Sequence, residues 1–115
     1  MLISGFTAVT NANVVQGNLF EFLRRPSRVS VAVVSDVVVN PGNVFTFQMG
    51  DLVVATAALV MPKTVNTVTS FIAGVVYPDD FLVQNEPGLA NDRLVLSITR
   101  AAGNIMWAVQ IIEVA

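Results

Sequence analysis

Apolar side chains recur at every second position along much of this chain, and this alternation is the feature that most constrains its fold. Valine occupies every second position in residues 29–33, and leucine or isoleucine does so in residues 94–98. Successive side chains of a β-strand point to opposite faces, so a two-residue period gathers the apolar set on one face. No stretch shows the i, i+3, i+4, i+7 spacing of an amphipathic helix. The pattern predicts an all-β fold.

The last predicted strand, 104–114, is apolar on both of its faces. One face carries Ile105, Trp107, Val109 and Ile111, and the other carries Met106, Ala108, Gln110 and Ile112. A strand that is covered on both sides has this composition. We expect Trp107 to point into the core, and we expect the loop 101–104 to join this strand to strand 92–100 as a hairpin.

Turn-forming residues punctuate the chain at regular intervals. Residues 40–43 have the Pro-Gly pair of a type II turn, and residues 49–51 indicate a tight turn. Residues 77–80 and 84–92 indicate loops. The predicted strands lie near 2–9, 19–23, 28–39, 43–48, 51–61, 64–77, 81–84, 92–100 and 104–114. Eight or nine short strands at this spacing predict a two-sheet sandwich or a barrel.

The length of the chain, 115 residues, is that of one domain. Residues 1–18 are the most ambiguous part, because the stretch from Asn11 to Asn18 reads as a loop. We expect 1–18 to form either an N-terminal arm or an ordinary first strand. Residues 19–115 are expected to form the β-sandwich domain.

The balance of apolar and charged residues indicates association with other proteins. Hydrophobic residues make up 54% of the chain and charged residues only 12%, about half the usual quarter. So few charges leave much of the surface neutral, and such surface usually marks a contact with a partner. The longest apolar run, residues 52–61, is about half the length that a membrane-spanning helix needs. We therefore expect protein partners and no membrane span.

Residues that carry catalysis and metal binding are scarce. The chain has no histidine and no cysteine, which are common general bases, nucleophiles and metal ligands. Asp79 and Asp80 are the only adjacent carboxylates, and they follow a proline in a predicted turn, where aspartate commonly bonds nearby backbone. We expect no catalytic residues, no metal, no cofactor and no enzymatic activity.

Three arginines, Arg24, Arg25 and Arg28, supply half of the positive charge. Arginine binds phosphate well, so this cluster is a candidate contact for nucleic acid. The chain is nevertheless acidic, with a net charge of −2, whereas nucleic-acid-binding domains are usually basic. A solvated loop or an ion pair between subunits is the favoured interpretation, and nucleic acid is not the expected partner.

Two stretches give the chain a resemblance to a known group of proteins. One stretch comprises residues 49–54, the apolar residues that follow as far as Pro62, and the sequence Asn-Thr-Val-Thr at 66–69. The other comprises residues 93–96 and 110–113. Over about residues 28–115 the chain resembles small virion structural proteins of bacterial viruses, which include jelly-roll capsid, penton and head-decoration subunits. The resemblance implies an antiparallel, jelly-roll-like two-sheet β-sandwich of eight to nine strands, with no family active site.

The expected function is that of a structural subunit of a protein assembly, such as a viral capsid or capsid-decoration protein of a virion assembled in the host cytoplasm. Its partners would be copies of itself and other structural proteins of the particle. The alternative is a binding module without enzymatic activity, of a lectin-like or receptor-contacting kind, which would have an aromatic-lined cleft. Met106, Ala108 and Ile112, on the second face of the last strand, are the candidate subunit interface.

Overall fold

The computed structural model describes residues 2–35, 42–62 and 81–114. Within them the chain forms seven strands of six or more residues and one strand of two residues, and no helix. The strands are β1 (Leu2–Thr7), β2 (Ser27–Ser35), β3 (Val44–Met49), β4 (Leu52–Leu59), β5 (Met61–Pro62), β6 (Phe81–Gly88), β7 (Leu94–Thr99) and β8 (Ile105–Glu113). The predicted all-β class is confirmed.

The strands form two sheets. In the five-stranded sheet the order is β1, β8, β2, and the far side of β2 pairs with β6 along residues 27–32 and with β5 along residues 34–35. In the three-stranded sheet the order is β4, β3, β7. Every pairing is antiparallel except the short one between β2 and β5.

The alternating apolar residues of both sheets meet in one core. Val29, Val31 and Val33 of β2 are fully buried there, opposite the alternating residues of β3 and β7. Trp107 is only 8% exposed and lies in the same core, so its predicted inward orientation is confirmed. The other core residues of β3, β7 and β8 are Phe45, Phe47, Met49, Leu94, Leu96, Ile98, Ile105, Val109 and Ile111.

A second, smaller apolar cluster lies on the opposite face of the five-stranded sheet. It consists of Ala32 and Val34 from β2 and Met106 and Ala108 from β8, with Phe81 of β6 packed against them. These two neighbouring strands are therefore buried on both faces, as the apolar composition of residues 104–114 predicts.

The predicted hairpin around residues 101–104 is wrong, because β7 belongs to the three-stranded sheet and β8 to the five-stranded sheet. The loop instead carries the chain from one sheet to the other. The Asn43 side chain holds it there, since its oxygen accepts from the Ala101 and Ala102 N–H groups and its nitrogen donates to the Ala102 carbonyl. A short loop between two alternating strands does not specify whether they share a sheet.

The predicted strand at 19–23 is also wrong, apart from a single bridge between Phe22 and Arg93. Residues 14–20 form turns, because asparagine side chains bond the backbone two residues ahead. The predicted tight turn at 49–51 is confirmed between β3 and β4, where Gly50 has a φ of 57°. Pro87 and Gly88, expected in a loop, end strand β6.

Some sequence predictions lie outside the described residues. They are the strand at 64–77, the loop at 77–80 with Asp79 and Asp80, residues 36–39 of the strand predicted at 28–39, and the first two residues of the turn at 40–43. Within residues 1–18, for which the sequence allows an arm or a first strand, residues 2–7 form the first strand β1, and Asn11, Asn13 and Val14 bond β7.

Candidate assembly surface

Among the described residues, the two sheets have four edges: β1 on one side of the five-stranded sheet, β6 with the two-residue β5 on the other, and β4 and β7 in the three-stranded sheet. An edge strand presents unpaired N–H and C=O groups that can pair with another chain. Soluble proteins usually block such edges with a covering segment, a bulge, a proline or a charge. The four edges of this protein differ in which of these features they have.

The edge at β7 is covered by residues 11–23, which we call the covering segment. The N–H and C=O groups of Leu94, Leu96 and Ile98 all form hydrogen bonds to it. Their partners are backbone or side-chain atoms of Asn11, Asn13, Val14 and Glu21. This edge therefore has no backbone group left along these residues for another chain.

Asn13 takes the place of a strand residue with its side chain. Its Nδ2 donates to the Leu94 carbonyl over 3.2 Å, and its Oδ1 accepts from the Leu96 N–H over 3.1 Å. The same oxygen accepts from the Val15 N–H, and Asn13 is only 6% exposed. Val15 and Leu23, both buried in the core, anchor the middle and the end of the covering segment.

An ion pair closes the far end of the covering segment. The Arg93 Nε lies 2.7 Å from a Glu21 carboxylate oxygen, and the other oxygen accepts from the Gly17 N–H over 2.9 Å. The Gly17 N–H and then the Arg93 guanidinium hold the pKa of Glu21 below its ordinary value. The carboxylate thus ties a turn of the covering segment to the residue that precedes β7.

The edge at β4 is irregular. Its pairing with β3 shifts register twice, between Phe45 and Phe47 and between Phe47 and Gln48. Ala57 has a φ of 46°, and its N–H donates to the Thr46 hydroxyl in place of a backbone carbonyl. Bulges of this kind bend a strand and interrupt the row of groups that a partner strand would need.

The edge at β6 is irregular too, and it is charged. Its pairing with β2 shifts register twice between Val29 and Ala32, and Asn85 has a φ of 53°. The strand contains Glu86 and Pro87, of which the proline has no N–H to donate. This edge therefore combines three features that hinder pairing.

The edge at β1 has none of these features. Its six residues pair with β8 in one unbroken register, and none of them is charged or a proline. Leu2 is 37% and Phe6 is 65% exposed. Gly5 lies against the Trp107 ring, so closely that an added Cβ would be 2.9 Å from Cζ2. No hydrogen bond joins the outer edge of β1 to any described residue.

The outer face of the three-stranded sheet is free of charge. In β3 and β7 the residues between the buried ones are valine, threonine, serine and glutamine, half-buried except for the exposed Thr99. In β4, Val53 and Leu59 lie opposite Gln48 and Val44 on this face, and both are exposed. The face therefore offers a neutral surface of mixed aliphatic and hydroxyl groups.

The three residues predicted as a subunit interface do not share one environment. Met106 and Ala108 are 4% and 0% exposed in the single chain, within the second apolar cluster. Ile112 lies farther along the same strand and is 46% exposed. A partner that meets this face would reach Ile112 first.

The three predicted arginines are all exposed, and they lie before or at the start of β2. The Arg24 guanidinium is 5.2 Å from the centre of the Phe20 ring, a cation–π contact. Within the described residues none of the three forms an ion pair; the pair found there joins Arg93 and Glu21. The arginines therefore remain exposed to solvent in the single chain.

A shallow groove of about 300 Å³ lies where β3, β4 and β6 end or begin. Its lining residues are Met49, Asp51, Leu52, Pro87, Leu89 and Asp92. None of them is aromatic, so the groove lacks the stacking surface of the lectin-like alternative. No group of three acidic side chains within metal-binding distance occurs in the part of the chain that the structure describes.

The chain is not significantly similar to any protein-family model, curated protein or solved structure with which it was compared. Among the described residues, no helix is long and apolar enough to cross a membrane. The surfaces described above are therefore the basis on which a function can be inferred.

Sequence reasoning did not find the two elements that distinguish the edges. The role of Asn13 has no local signal, because its partners Leu94 and Leu96 are about eighty residues away. The edge at β1 did have a sequence signal, the complete lack of charge in residues 2–7.

Proposed function

We propose that this protein is a structural subunit of an assembly, most specifically a viral capsid or capsid-decoration protein. The observation that carries the proposal is the edge at β1, a regular, uncharged strand with exposed Leu2 and Phe6 that no described residue covers. In a protein that functions alone, such an edge is a liability. In a subunit, it is a contact that forms on assembly.

The order of the strands supports a jelly-roll-like sandwich. In a jelly roll, an eight-stranded antiparallel ribbon folds so that the first strand pairs with the last, the second with the seventh, the third with the sixth and the fourth with the fifth. Here β1 pairs with β8, the covering segment bonds β7, β2 pairs with β6 and β3 pairs with β4. The covering segment takes the place of the second strand, and β5 is a short addition.

The neutral face of the three-stranded sheet supports the same function. Subunits of a shell contact several neighbours, so they need association surface on more than one side. The uncharged face with Val53 and Leu59 lies on the other sheet from β1. Two separate surfaces that tolerate contact fit a subunit better than a domain with one ligand cleft.

The proposal includes the partners and the location expected from the sequence. The partners are copies of the chain and other structural proteins of a virion, and the outer face of β8 is one contact among several, with Ile112 as its accessible residue. Arg24, Arg25 and Arg28 are free to form ion pairs with a neighbouring subunit.

Sedimentation velocity at micromolar concentration tests this function. The expected result is a species several times the 12.3 kDa mass of one chain. Because the contacts proposed at β1 and at the face of the three-stranded sheet are uncharged, raising the salt concentration should not dissociate the assembly, whereas it would weaken any contact made by the arginine ion pairs. A single 12.3 kDa species at all concentrations, with electron micrographs free of particles, contradicts the proposal.

A further inference from the structure

We propose that β1 pairs antiparallel with β1 of a second copy, about a two-fold axis that passes through Ser4. The pairing would join the two five-stranded sheets into one continuous sheet. This inference rests on the proposed function and names one of its contacts.

The choice of β1 follows from what blocks the other three edges. The β7 edge is already bonded to the covering segment, the β4 edge is bulged around Ala57, and the β6 edge contains Glu86 and Pro87. Only β1, among the described edges, keeps a regular row of backbone groups with no charge beside it.

The choice of a second copy follows from the side chains of β1. A two-fold contact brings each residue near its own copy, so any charge on the strand would face the same charge. The sequence Leu-Ile-Ser-Gly-Phe-Thr contains none. The exposed Leu2 and Phe6 are also spaced so that each can cover the other across the axis.

The register follows from the two faces of the strand. Leu2, Ser4 and Phe6 lie on the outer face, opposite Gln110, Ala108 and Met106, whereas Ile3 and Gly5 lie on the inner face. An axis at Ser4 keeps outer residues opposite outer residues, and it pairs Leu2 with the Phe6 of the second copy. An axis between Ser4 and Gly5 would place Ile3 against Phe6, which mixes the faces and is excluded.

An axis at Gly5 would also preserve the faces, but it would pair Phe6 with Ser4 and leave Leu2 without a partner. The Ser4 axis is therefore preferred. A six-residue ladder is smaller than a typical stable interface of about 800 Å² per partner. We therefore expect it to act together with the other contacts of the assembly.

The absence of cysteine from the chain allows a cross-linking test with Ser4→Cys. Directly opposed residues of an antiparallel pair have Cβ atoms about 4.5–5.5 Å apart, close enough for a disulfide after a small adjustment. Oxidation of the assembled variant should give a covalent dimer in a non-reducing gel. Gln16→Cys, at an exposed position of the covering segment, is the matched control and should remain monomeric in the gel.

A charge exchange at the same position tests the register independently. Ser4→Lys and Ser4→Glu each place like charges across the axis, so each variant alone should form smaller species than the wild type in sedimentation. An equimolar mixture should recover the wild-type mass, because opposite charges then meet. Gln16→Lys should assemble as the wild type does, and Trp107 fluorescence should show that all variants are folded.

The outcomes separate this inference from the proposed function. If the wild type is monomeric, the proposed function fails and the contact fails with it. If the wild type assembles but Ser4→Cys gives no covalent dimer, or the mixture does not recover the mass, only the β1 pairing is overturned. The β1 pairing is likewise overturned if Ser4→Lys and Ser4→Glu assemble as well as the wild type, or if the control Gln16→Lys loses assembly to the same extent as they do.

Discussion

The backbone groups on the outer side of an edge strand are bonded at β7 and left without a described partner at β1. At β7 the chain uses residues 11–23 to bond the groups of Leu94, Leu96 and Ile98. At β1 it leaves a regular uncharged strand without a described partner, although the strand is formed from residues that directly precede the covering segment. One edge is closed within the chain, and the other has no partner among the described residues, which is why we propose it as a contact with another chain.

Low charge alone therefore does not locate an interface. Neither β4 nor the edge strand β1 contains a charged residue, yet the pairing of β4 is interrupted by register shifts whereas that of β1 is unbroken. What separates them is the regularity of the backbone, which decides whether a second strand can form a continuous ladder. Substitutions in and around these edges test whether the regularity of the backbone distinguishes β1 from the other edges.

The largest effect is expected from Ala108→Arg, on the strand that β1 adjoins. Ala108 is fully buried in the second apolar cluster, so an arginine there would be a buried charge without a partner. Such a charge costs several kcal/mol, which is comparable with the whole stability of a small domain. The variant should be unfolded by circular dichroism and insoluble.

The matched control is Ile112→Arg, on the same face of the same strand but 46% exposed. This variant should remain folded, and it should assemble less well if the outer face of β8 contacts a partner. A folded Ala108→Arg that fails to assemble would instead mean that Ala108 is covered by a neighbouring subunit, as the sequence pattern first suggested.

A smaller loss of stability is expected from Asn13→Ala, which opens the covered edge. The change leaves the Leu94 carbonyl, the Leu96 N–H and the Val15 N–H without the bonds that Asn13 supplies in a buried position. Each unsatisfied buried group costs about 1–3 kcal/mol, and water entering the gap would reduce this. We expect a loss of about 2–4 kcal/mol in urea unfolding, with faster hydrogen exchange at Leu96.

The control is Gln16→Ala, which removes a side-chain amide from an exposed position of the same covering segment and should change the stability by less than about 0.5 kcal/mol. Equal effects of the two substitutions would show that the covering segment does not depend on the Asn13 bonds. If Asn13→Ala also aggregates while Gln16→Ala does not, the exposed β7 edge is pairing with other chains.

The pH dependence of stability tests the ion pair that closes the covering segment. Because the folded state lowers the pKa of Glu21, the carboxylate stabilises the fold above its unfolded pKa of about 4.3. That contribution is lost as the pH falls through the lower folded pKa. The difference in unfolding free energy between the wild type and Glu21→Gln should therefore be largest near pH 7 and shrink in acid.

Arg93→Gln is the companion variant, since it removes one cause of the lowered pKa and leaves the bond from the Gly17 N–H. The decrease in its unfolding free energy on acidification should be intermediate between the decreases of the wild type and of Glu21→Gln. A difference between the wild type and Glu21→Gln that stays constant from pH 7 to pH 3 would show that the Glu21 charge does not hold the covering segment.

The sequence predicts the strands of this fold better than their partners. Alternation locates residues 29–33 and 94–98 and the inward Trp107, because each depends only on which face is apolar. It does not reveal that β7 and β8 lie in different sheets, because the crossing is fixed by Asn43 from a distant part of the chain.

The candidate surface was accessible to sequence reasoning only in part. The low charge predicted association, and the lack of charge in residues 2–7 is visible in the sequence. The bulge at Ala57 and the strand-like bonding of Asn13 were not, because each depends on tertiary hydrogen bonds to Thr46 and to Leu94 and Leu96. Without them, β4 would be an edge as open as β1.

The smallest expected effect is that of Ala57→Gly, and it is a gain. An alanine at φ 46° is in the left-handed region, which costs a non-glycine residue about 1–2 kcal/mol. Glycine removes that cost but loses about 0.5–1 kcal/mol through its greater freedom in the unfolded chain. The two terms leave a net stabilisation of about 0.5 kcal/mol, measurable as a higher urea midpoint.

Ala55→Gly should change the stability in the opposite direction, since Ala55 lies on the same strand without a positive φ and packs against the core. The glycine there loses chain entropy and a methyl contact with nothing in return, so a destabilisation of about 1 kcal/mol is expected. If both substitutions destabilise equally, the backbone at Ala57 is not strained. The bulge would then cost β4 little stability. In that case the bulge at β4 and its absence at β1 would be weaker evidence that β1 is the edge that contacts a partner.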